Sequence, residues 1–393
     1  MEEAIINSFL YVITLLIYVA IRRKLDVGFV LLSLYTMTSI ICVLYLKDHQ
    51  SEWVLNTWSF VYLYVIIILA LRPFLIDMSA VIDNIKIRNV KFLNFFIYGY
   101  CLLSLIDIYY SFSTAIKNIV SGEWGTLRME MYAGDLQLYD SQIERFSKIF
   151  VSYLRPLAII VLFLGISDKK INKKWLIFLL LSILVSAFLV SINTASRGLL
   201  FALIASFLCA FILFKNRLSS SSKKKIYIAG LSFSALFLIY SIAVTKSRFG
   251  DDDQYSSLLY YFGHAMLTFN YGLTDSINTF ANGSFFFDWF IKLFGWEPVA
   301  TSQLGTHFGT RFFTFVGSWY IDFGPNGTFL VALLMPIFFI RLLKRKVIGV
   351  AELFISFVYL NYLFMGVFVV GRGNFLVWLI SYIIYKFLKF KKI

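Results

Sequence analysis

The chain is organised around one stretch, from Lys246 to Gly324, which reads KSRFGDDDQYSS at 246–257, FFFDWFIKLFGWEP at 285–298, GTHFGTRFF at 305–313 and SWYIDFG at 318–324. It is the longest segment that cannot lie in lipid, and long apolar runs flank it on both sides. A loop of this length is usually either functional or disordered. Its many aromatic residues argue against disorder. We therefore expect a structured loop that carries function. The run 285–294 is too short to cross a membrane and too apolar to be solvated, so we expect a short helix there that lies along the outer face.

The composition places the rest of the chain in a membrane. Hydrophobic residues make up 60% of the 393 residues and charged residues only 15%, which is outside the range of soluble domains. The N-terminus opens with two acids instead of a basic region, so we expect a retained first span and not a signal peptide. The three cysteines fall in separate apolar runs and are expected to be buried small side chains, without a disulfide or metal site. The sequence predicts an all-α, polytopic integral membrane protein.

The apolar runs predict the number of crossings. At about 20 apolar residues per crossing, we expect eleven transmembrane helices. They lie at 4–21, 28–46, 53–71, 92–110, 149–167, 175–193, 198–214, 226–245, 326–343, 350–370 and 374–388. The chain then divides into residues 1–245 with eight spans, a large outer loop at 246–325 between helices 8 and 9, and residues 326–393 with three spans. An amphipathic outer segment at 111–148 is expected either to lie structurally in the membrane interface or to cover a cavity.

The distribution of basic residues predicts the orientation. Of the 36 Lys and Arg residues, 24 fall in one alternating set of connections and at the C-terminal tail. Because excess Lys and Arg mark the cytoplasmic face, we expect the N-terminus and the 246–325 loop outside and the C-terminus inside. The formal net charge of +14 is then a topology signal, and no nucleic-acid partner is expected.

Each of two short outer turns contains an arginine in an unusual position. Arg197, in the turn Asn193–Gly198, and Arg372, in the turn Gly371–Asn374, are flanked by small residues at the start of a helix. A cation there opposes the helix dipole at a cost of a few tenths to about 1 kcal/mol. The placement is favourable if an anion binds, since free helix N–H groups and a guanidinium together hold phosphate. The alternative is that each arginine extends to lipid headgroups.

These features resemble the Wzy-type O-antigen or capsule repeat-unit polymerases of bacteria. The resemblance rests on the eleven spans, the Ser-Arg-Gly turn at Ser196 to Gly198, the single large outer loop near the C-terminus, and the loop's exit YIDFGPNGTFL at Tyr320 to Leu330. It spans the whole chain but lies mostly in architecture. The resemblance implies a GT-C-like membrane fold.

The resemblance also implies an activity. It is an inverting, metal-independent glycosyl transfer from one undecaprenyl diphosphate to the repeat unit carried by another, at the periplasmic face of the bacterial inner membrane. The implied partners are the lipid-linked donor and acceptor and the membrane lipids, and the family allows a chain-length regulator. No cofactor is expected.

That reaction assigns roles to particular residues. Arginines are expected to stabilise the diphosphate leaving group, as Arg197, Arg311 and Arg372. The general base is expected among His264, His307, Asp275 and Asp322. We prefer His307, since it lies four residues from Arg311 and shares a helical face with it if the segment is helical. A hydrogen bond within the loop is the alternative role for His307.

The remaining loop residues are expected to bind substrate or to pack. Arg248, His264, Asp322, Tyr320 and Trp319 are the predicted substrate-binding residues. Aromatic rings offer flat faces for sugars, but for most of the loop's aromatic residues the expected role is an aromatic belt at the membrane interface. The acidic run 251–253 is interpreted as a solvated turn and not as a metal site.

Two other functions compete with polymerisation. An O-antigen ligase would use the same chemistry with a different acceptor. A lipid-oligosaccharide flippase or other transporter would hold charges inside its spans, whereas here Asp107 and Arg155 are expected near span ends and Glu352 near the inner face. The charges concentrated outside the spans favour a reaction at the surface.

Overall fold

The computed structural model of the protein is helical. It describes residues 1–48, 54–76, 85, 89–133, 141–168, 172–249, 254–273, 277, 279–299, 313–345, 347–368 and 374–391. The helices are α1 (Glu2–Arg22), α2 (Val27–Asp48), α3 (Thr57–Leu71), α4 (Val90–Ser121), α5 (Trp124–Ala133), α6 (Gln142–Ser167), α7 (Lys173–Asn193), α8 (Gly198–Phe214), α9 (Ser220–Phe249), α10 (Gln254–Leu267), α11 (Asp288–Leu293), α12 (Thr314–Leu343), α13 (Val350–Met365) and α14 (Asn374–Phe390). A π-helix, Thr268–Leu273, continues α10. The described residues contain no β-strand.

A helix occupies each of the eleven predicted spans. Within the described residues, seven helices are long and apolar enough to cross a membrane, namely α1, α2, α4, α6, α7, α9 and α12, and three shorter apolar helices are α3, α8 and α13. In the 18-residue apolar stretch of each helix, only 17% of the residues of α1 and 11% of those of α9 are buried. Their large side chains therefore face outward, as in helices that contact lipid. The chain is an all-α polytopic membrane protein, as predicted.

Several helices extend beyond the predicted spans. Helix α4 continues to Ser121 and ends at Gly122, whose φ of 66° lies in the left-handed region that glycine tolerates. Helix α6 begins at Gln142, because the Ser141 side chain accepts a hydrogen bond from Glu144 N at 3.1 Å and caps it. Hydropathy detects only the apolar part of a helix, so it does not detect an amphipathic extension at either end.

Two charged residues lie inside these longer helices. Asp107 and Arg155 were expected near span ends, and they are in the interior of α4 and α6, whose ends extend beyond the predicted spans. Both side chains are buried, with 1% of Asp107 and 7% of Arg155 exposed. Their place relative to the membrane stays a prediction, whereas their burial was not indicated by the sequence.

The predicted large loop contains regular structure. Residues 246–325 include α10, the π-helix, α11 and the first part of α12. The short helix predicted within FFFDWFIKLF is present as α11. Helix α12 is broken at Gly324, where φ is 62° and ψ is −175°, a conformation that is almost confined to glycine. A Cβ at this position would lie 3.3 Å from the Phe280 ring.

The chain divides into two compact units. Unit 1 consists of Met1–Val81, Tyr255–Lys346 and Tyr359–Tyr382, and unit 2 consists of Ile82–Gln254, Val347–Val358 and Ile383–Ile393. The predicted three-part division of the sequence stays a prediction.

Unit 1 is built around α3. Helix α1 packs on α2 and α3, and both α12 and the π-helix pack on α3. The Tyr359 hydroxyl donates to Ala70 O at 2.8 Å, and its ring stacks on Phe339 at 4.1 Å. These buried aromatic contacts join helices that are distant in sequence into one core.

Unit 2 has a core of three helices. Helices α4, α6 and α7 pack against one another, and α8 packs on α6 and α7. The short α5 packs on α9. This last contact positions the candidate site.

Candidate functional site

The turn from Asn193 to Gly198, which we call the Arg197 turn, connects α7 and α8 in unit 2. Ser196 N donates to Ser191 O at 2.9 Å, so the backbone of the turn is held against the end of α7. Arg197 is the residue before the first turn of α8, as predicted, and its side chain makes no capping hydrogen bond. The guanidinium is therefore attached close to the positive end of the helix dipole.

The Arg197 side chain is directed towards α9. Its Nη1 donates to Thr245 Oγ1, and Thr245 Oγ1 donates in turn to Ser241 O at 2.7 Å. Thr245 is 8% exposed. The hydrogen bond to a buried hydroxyl fixes one edge of the guanidinium, so the charge is held beside the turn instead of extending freely to headgroups.

A second arginine, Arg128, reaches the same turn. Its Nη1 donates to Thr194 O at 3.0 Å. Arg128 was not among the predicted site residues, although it lies in the predicted amphipathic segment 111–148. The sequence contained one indication of its position. Arg128 lies four residues after Trp124, and residues four apart share one face of a helix.

Contacts with α9 hold α5 in place. The Trp124 ring, only 7% exposed, meets the Tyr240 ring edge-on at 5.8 Å. Ser247 Oγ donates to Gly122 O at 3.0 Å and accepts from Gly125 N at 3.4 Å. These contacts fix both ends of the connection before α5, so that Arg128 is carried over the Arg197 turn.

The two arginines and Tyr240 form what we call the arginine cluster. The Tyr240 hydroxyl donates to Ser191 O at 2.7 Å, and both Arg128 and Arg197 lie near enough to interact electrostatically with it. Two like charges beside the positive end of a helix raise the free energy of the unliganded site. A bound anion lowers it, since guanidinium groups form bidentate charge-assisted hydrogen bonds with phosphate and carboxylate. The arrangement suits an anionic ligand.

Of the four predicted catalytic residues, the structure describes Arg197. Arg311, His307 and Arg372 lie outside the described residues, as do Asp275 and the side chain of Arg248. Their meeting with Arg197 stays a prediction.

His264 lies inside unit 1 among aromatic rings. It is 2% exposed, and its Nδ1 is hydrogen-bonded to Thr268 Oγ1 at 2.8 Å. The Tyr260 ring lies 4.3 Å from the imidazole and the Tyr45 ring 6.0 Å, between ring centroids. Thr268 is the first residue of the π-helix, which is a deformation often found at functional sites.

Asp322 binds backbone in unit 1. Its two carboxylate oxygens accept hydrogen bonds from Phe285 N at 2.9 Å and from Phe286 N at 2.6 Å, and the residue is 2% exposed. Ala281 N also donates to Ile321 O at 2.8 Å. Asp322 thus attaches the segment before α11 to α12, just before the break at Gly324. This contact gives the carboxylate a structural function whatever else it does.

The two predicted aromatic platforms differ in exposure. Trp319 is 2% exposed and packs on Phe315 at 4.9 Å and on Tyr362 at 6.2 Å. Tyr320 is partly exposed and meets the rings of Phe269, Phe280 and Tyr62 at 5.6, 6.0 and 6.1 Å. Of these two residues, Tyr320 therefore exposes ring surface that a ligand can contact.

The described residues of unit 1 thus contain His264, Trp319, Tyr320 and Asp322, and those of unit 2 contain Arg197. Among the residues that the structure describes, no three His, Cys, Asp or Glu side chains are grouped so as to hold a metal ion. The chain matches no protein-family model, no curated protein and no solved structure, so the site is interpreted from its own residues.

Proposed function

We propose that the protein polymerises lipid-linked oligosaccharide repeat units, by glycosyl transfer at the outer face of the bacterial inner membrane. The observation that carries the proposal is the arginine cluster, in which Arg128 binds the carbonyl of Thr194 in the turn before α8 and Arg197 stands directly before the first turn of that helix. A lipid diphosphate that leaves during glycosyl transfer needs positive charge aimed at its oxygens. Two guanidiniums beside a helix N-terminus supply that charge.

The proposed step forms one bond and breaks another. The acceptor sugar's hydroxyl oxygen attacks the anomeric carbon of the donor, and the bond from that carbon to the diphosphate oxygen breaks. The diphosphate leaves with the electron pair, and a general base takes the hydroxyl proton. The attack on the opposite face inverts the anomeric centre.

Each group in the site has one task in this proposal. Arg128 and Arg197 hold the diphosphate oxygens, and Arg311 and Arg372 are expected to complete the set. Arginine suits the task because its planar fork matches two oxygens at once. His307 is expected to take the proton.

An O-antigen ligase would use the same chemistry, since it differs only in transferring the glycan to the lipid A core. A transporter receives support from a different observation, the burial of Asp107 and Arg155 within α4 and α6. Charges inside membrane helices often mark transport paths. Polymerisation accounts for the arginine cluster, which a transport path would not need.

The test replaces Arg128 and Arg197 separately with alanine in a strain that depends on this protein for its polysaccharide. Each change should remove about 2 to 4 kcal/mol of transition-state stabilisation, a loss of about 30- to 1000-fold in rate. The control is Arg145→Ala, because Arg145 is exposed and lies outside the cluster. In the Arg128→Ala and Arg197→Ala strains, lipopolysaccharide should carry single repeat units in place of a ladder. The Arg145→Ala strain should keep the ladder.

Other outcomes identify the competing functions. Bare core together with polymer on the carrier lipid would indicate a ligase, and repeat units trapped on the cytoplasmic side would indicate a flippase. If both alanine variants keep a normal ladder at normal protein levels, the anion-binding interpretation of the arginine cluster is wrong.

A further inference from the structure

A second group of polar side chains lies inside unit 2, where α4 packs on α6. Arg155 from α6 is 7% exposed, and Tyr100 and Ser104 from α4 are 1% and 0% exposed. Tyr100 lies near enough to Arg155 and to Ser104 for its hydroxyl to interact with both side chains. None of the three residues belongs to the arginine cluster.

Four polar atoms of this group complete no hydrogen bond of full geometry, although the Tyr100 hydroxyl lies close to Arg155 and Ser104. Within the described part of the chain, Arg155 Nε and Nη2, Tyr100 Oη and Ser104 Oγ are all buried and complete no hydrogen bond. Buried polar groups in folded proteins are nearly always hydrogen-bonded. A cluster of unsatisfied groups therefore indicates that something else binds there.

The geometry of the guanidinium restricts what binds. Nε–H and Nη2–H lie on the same edge of the planar group, so both donors point at one place. That edge pairs with two oxygens on a single atom, as in a carboxylate or a phosphate. The neighbouring hydroxyls of Tyr100 and Ser104 can donate to the remaining oxygen lone pairs.

The nearby carboxylate does not occupy this edge. Asp107 accepts hydrogen bonds from Ser186 at 2.6 Å and from Ser111 at 3.4 Å. It is influenced by the charges of Lys148 and Arg155, but the described structure contains no ion pair between Asp107 and Arg155. The Asp107 carboxyl is thus held on the two hydroxyls and does not occupy the Arg155 edge.

Arg155 lies near the middle of the 26-residue helix α6, about 20 Å along it from Gln142 at a rise of about 1.5 Å per residue. A buried guanidinium is costly unless its donors are paired.

We infer that Arg155, Tyr100 and Ser104 form a binding site for an oxyanion, that is, for a carboxylate or phosphate group held on the Nε–Nη2 edge. The inference does not rest on the proposed function, because it uses none of the residues of the arginine cluster. Both a soluble anion and a phosphate borne by a lipid have the required chemistry.

The test measures binding to the full-length protein in maltoside micelles, which contain no phosphate. The protein carries Arg128→Ala and Arg197→Ala, so that the arginine cluster does not contribute. The probes are inorganic phosphate, acetate and dodecyl phosphate, and the measurement is the rise in thermal unfolding midpoint with probe concentration. We expect a saturable rise with at least one probe. A response to inorganic phosphate or acetate identifies a soluble ligand, and a response to dodecyl phosphate alone identifies a lipid-borne one.

Variants then locate the site. Arg155→Lys keeps the charge and loses the two-donor edge, so the affinity should fall about 10-fold or more, as expected for the loss of one charge-assisted hydrogen bond. Tyr100→Phe and Ser104→Ala should each weaken binding by several-fold with little change in shape. Arg145→Lys, on the exposed face of the same helix, is the matched control and should bind normally.

Three results would overturn the inference. They are no response to any probe, normal binding by all three site variants, and an equal loss in Arg145→Lys and Arg155→Lys. If Arg155→Lys does not fold, the two hydroxyl variants decide the question by themselves.

Discussion

Replacing Asp322 with asparagine separates a structural role of this residue from a chemical one. Both of its oxygens accept backbone hydrogen bonds, from Phe285 N at 2.9 Å and from Phe286 N at 2.6 Å, and the side chain is buried. Asparagine keeps one acceptor oxygen but turns an NH₂ group towards the other N–H. One buried donor is then left without an acceptor.

The structure sets the size of the expected effect. An unsatisfied buried donor costs about 1 to 3 kcal/mol, so Asp322→Asn should lower the free energy of unfolding by about that amount. Asp322→Ala leaves two donors unsatisfied and should cost about 2 to 6 kcal/mol. The order wild type, asparagine, alanine follows from the number of acceptors that remain.

The assay is a denaturant titration of the purified protein in maltoside micelles, which yields the free energy of unfolding. The matched control is Asp288→Asn in the same segment. Asp288 pairs with Lys292 at 2.9 Å, and the Lys292 side chain is 60% exposed. The Asp288 side chain is only 15% exposed, but its partner is in solvent, and such a pair contributes about 0 to 1 kcal/mol. Asparagine also keeps an acceptor oxygen for Lys292, so the control should stay close to the wild type.

One pattern of results would refute this reasoning. If Asp322→Asn unfolds with the free energy of the wild type but forms no polysaccharide, Asp322 acts in the chemistry and its two backbone contacts are dispensable. If the Asp322→Asn variant loses stability and product in proportion, the role of Asp322 is to attach the segment before α11.

Three further predictions concern topology, strain and charge. Reporter fusions at the exposed Ser220 and Asn282 should report opposite compartments, because the basic connections are expected to be cytoplasmic; the same compartment for both would contradict the topology. Gly324→Ala should lower the free energy of unfolding by about 1 to 3 kcal/mol, since φ is 62° there. The control Gly99→Ala should lose no stability in the same titration, because a Cβ added at that position meets open space. Arg197→Lys should restore only part of the ladder lost in Arg197→Ala, because the charge remains without the fork; full restoration would show that charge alone suffices.

Much of the fold could be predicted because it depends on local properties. Apolar runs of membrane length lie in sequence order, and each forms a helix by itself since a helix satisfies its own backbone hydrogen bonds. The placement of Arg197 before α8 was predictable for the same reason, because small residues next to a long apolar run mark a helix start. The short α11 was likewise apparent from a run too apolar to be solvated and too short to cross.

Helix lengths were harder to predict. Hydropathy cannot follow α4 to Ser121 or α6 back to Gln142, because an amphipathic extension outside the lipid has no apolar run. The burial of Asp107 and Arg155 was missed for another reason, because it depends on how α4, α6 and α7 pack together and not on the length of an apolar run.

The candidate sites themselves depend on contacts between distant parts of the chain. Arg128 meets the Arg197 turn only because α5 folds back onto α9, which requires the contacts of Trp124 with Tyr240 and of Ser247 with the loop before α5. Tyr100 and Arg155 meet through the packing of α4 on α6. Such meetings follow from which helical faces pack together. Many pairings bury similar apolar area, and the tertiary structure selects among them by side-chain shape and by hydrogen bonds that no local pattern encodes.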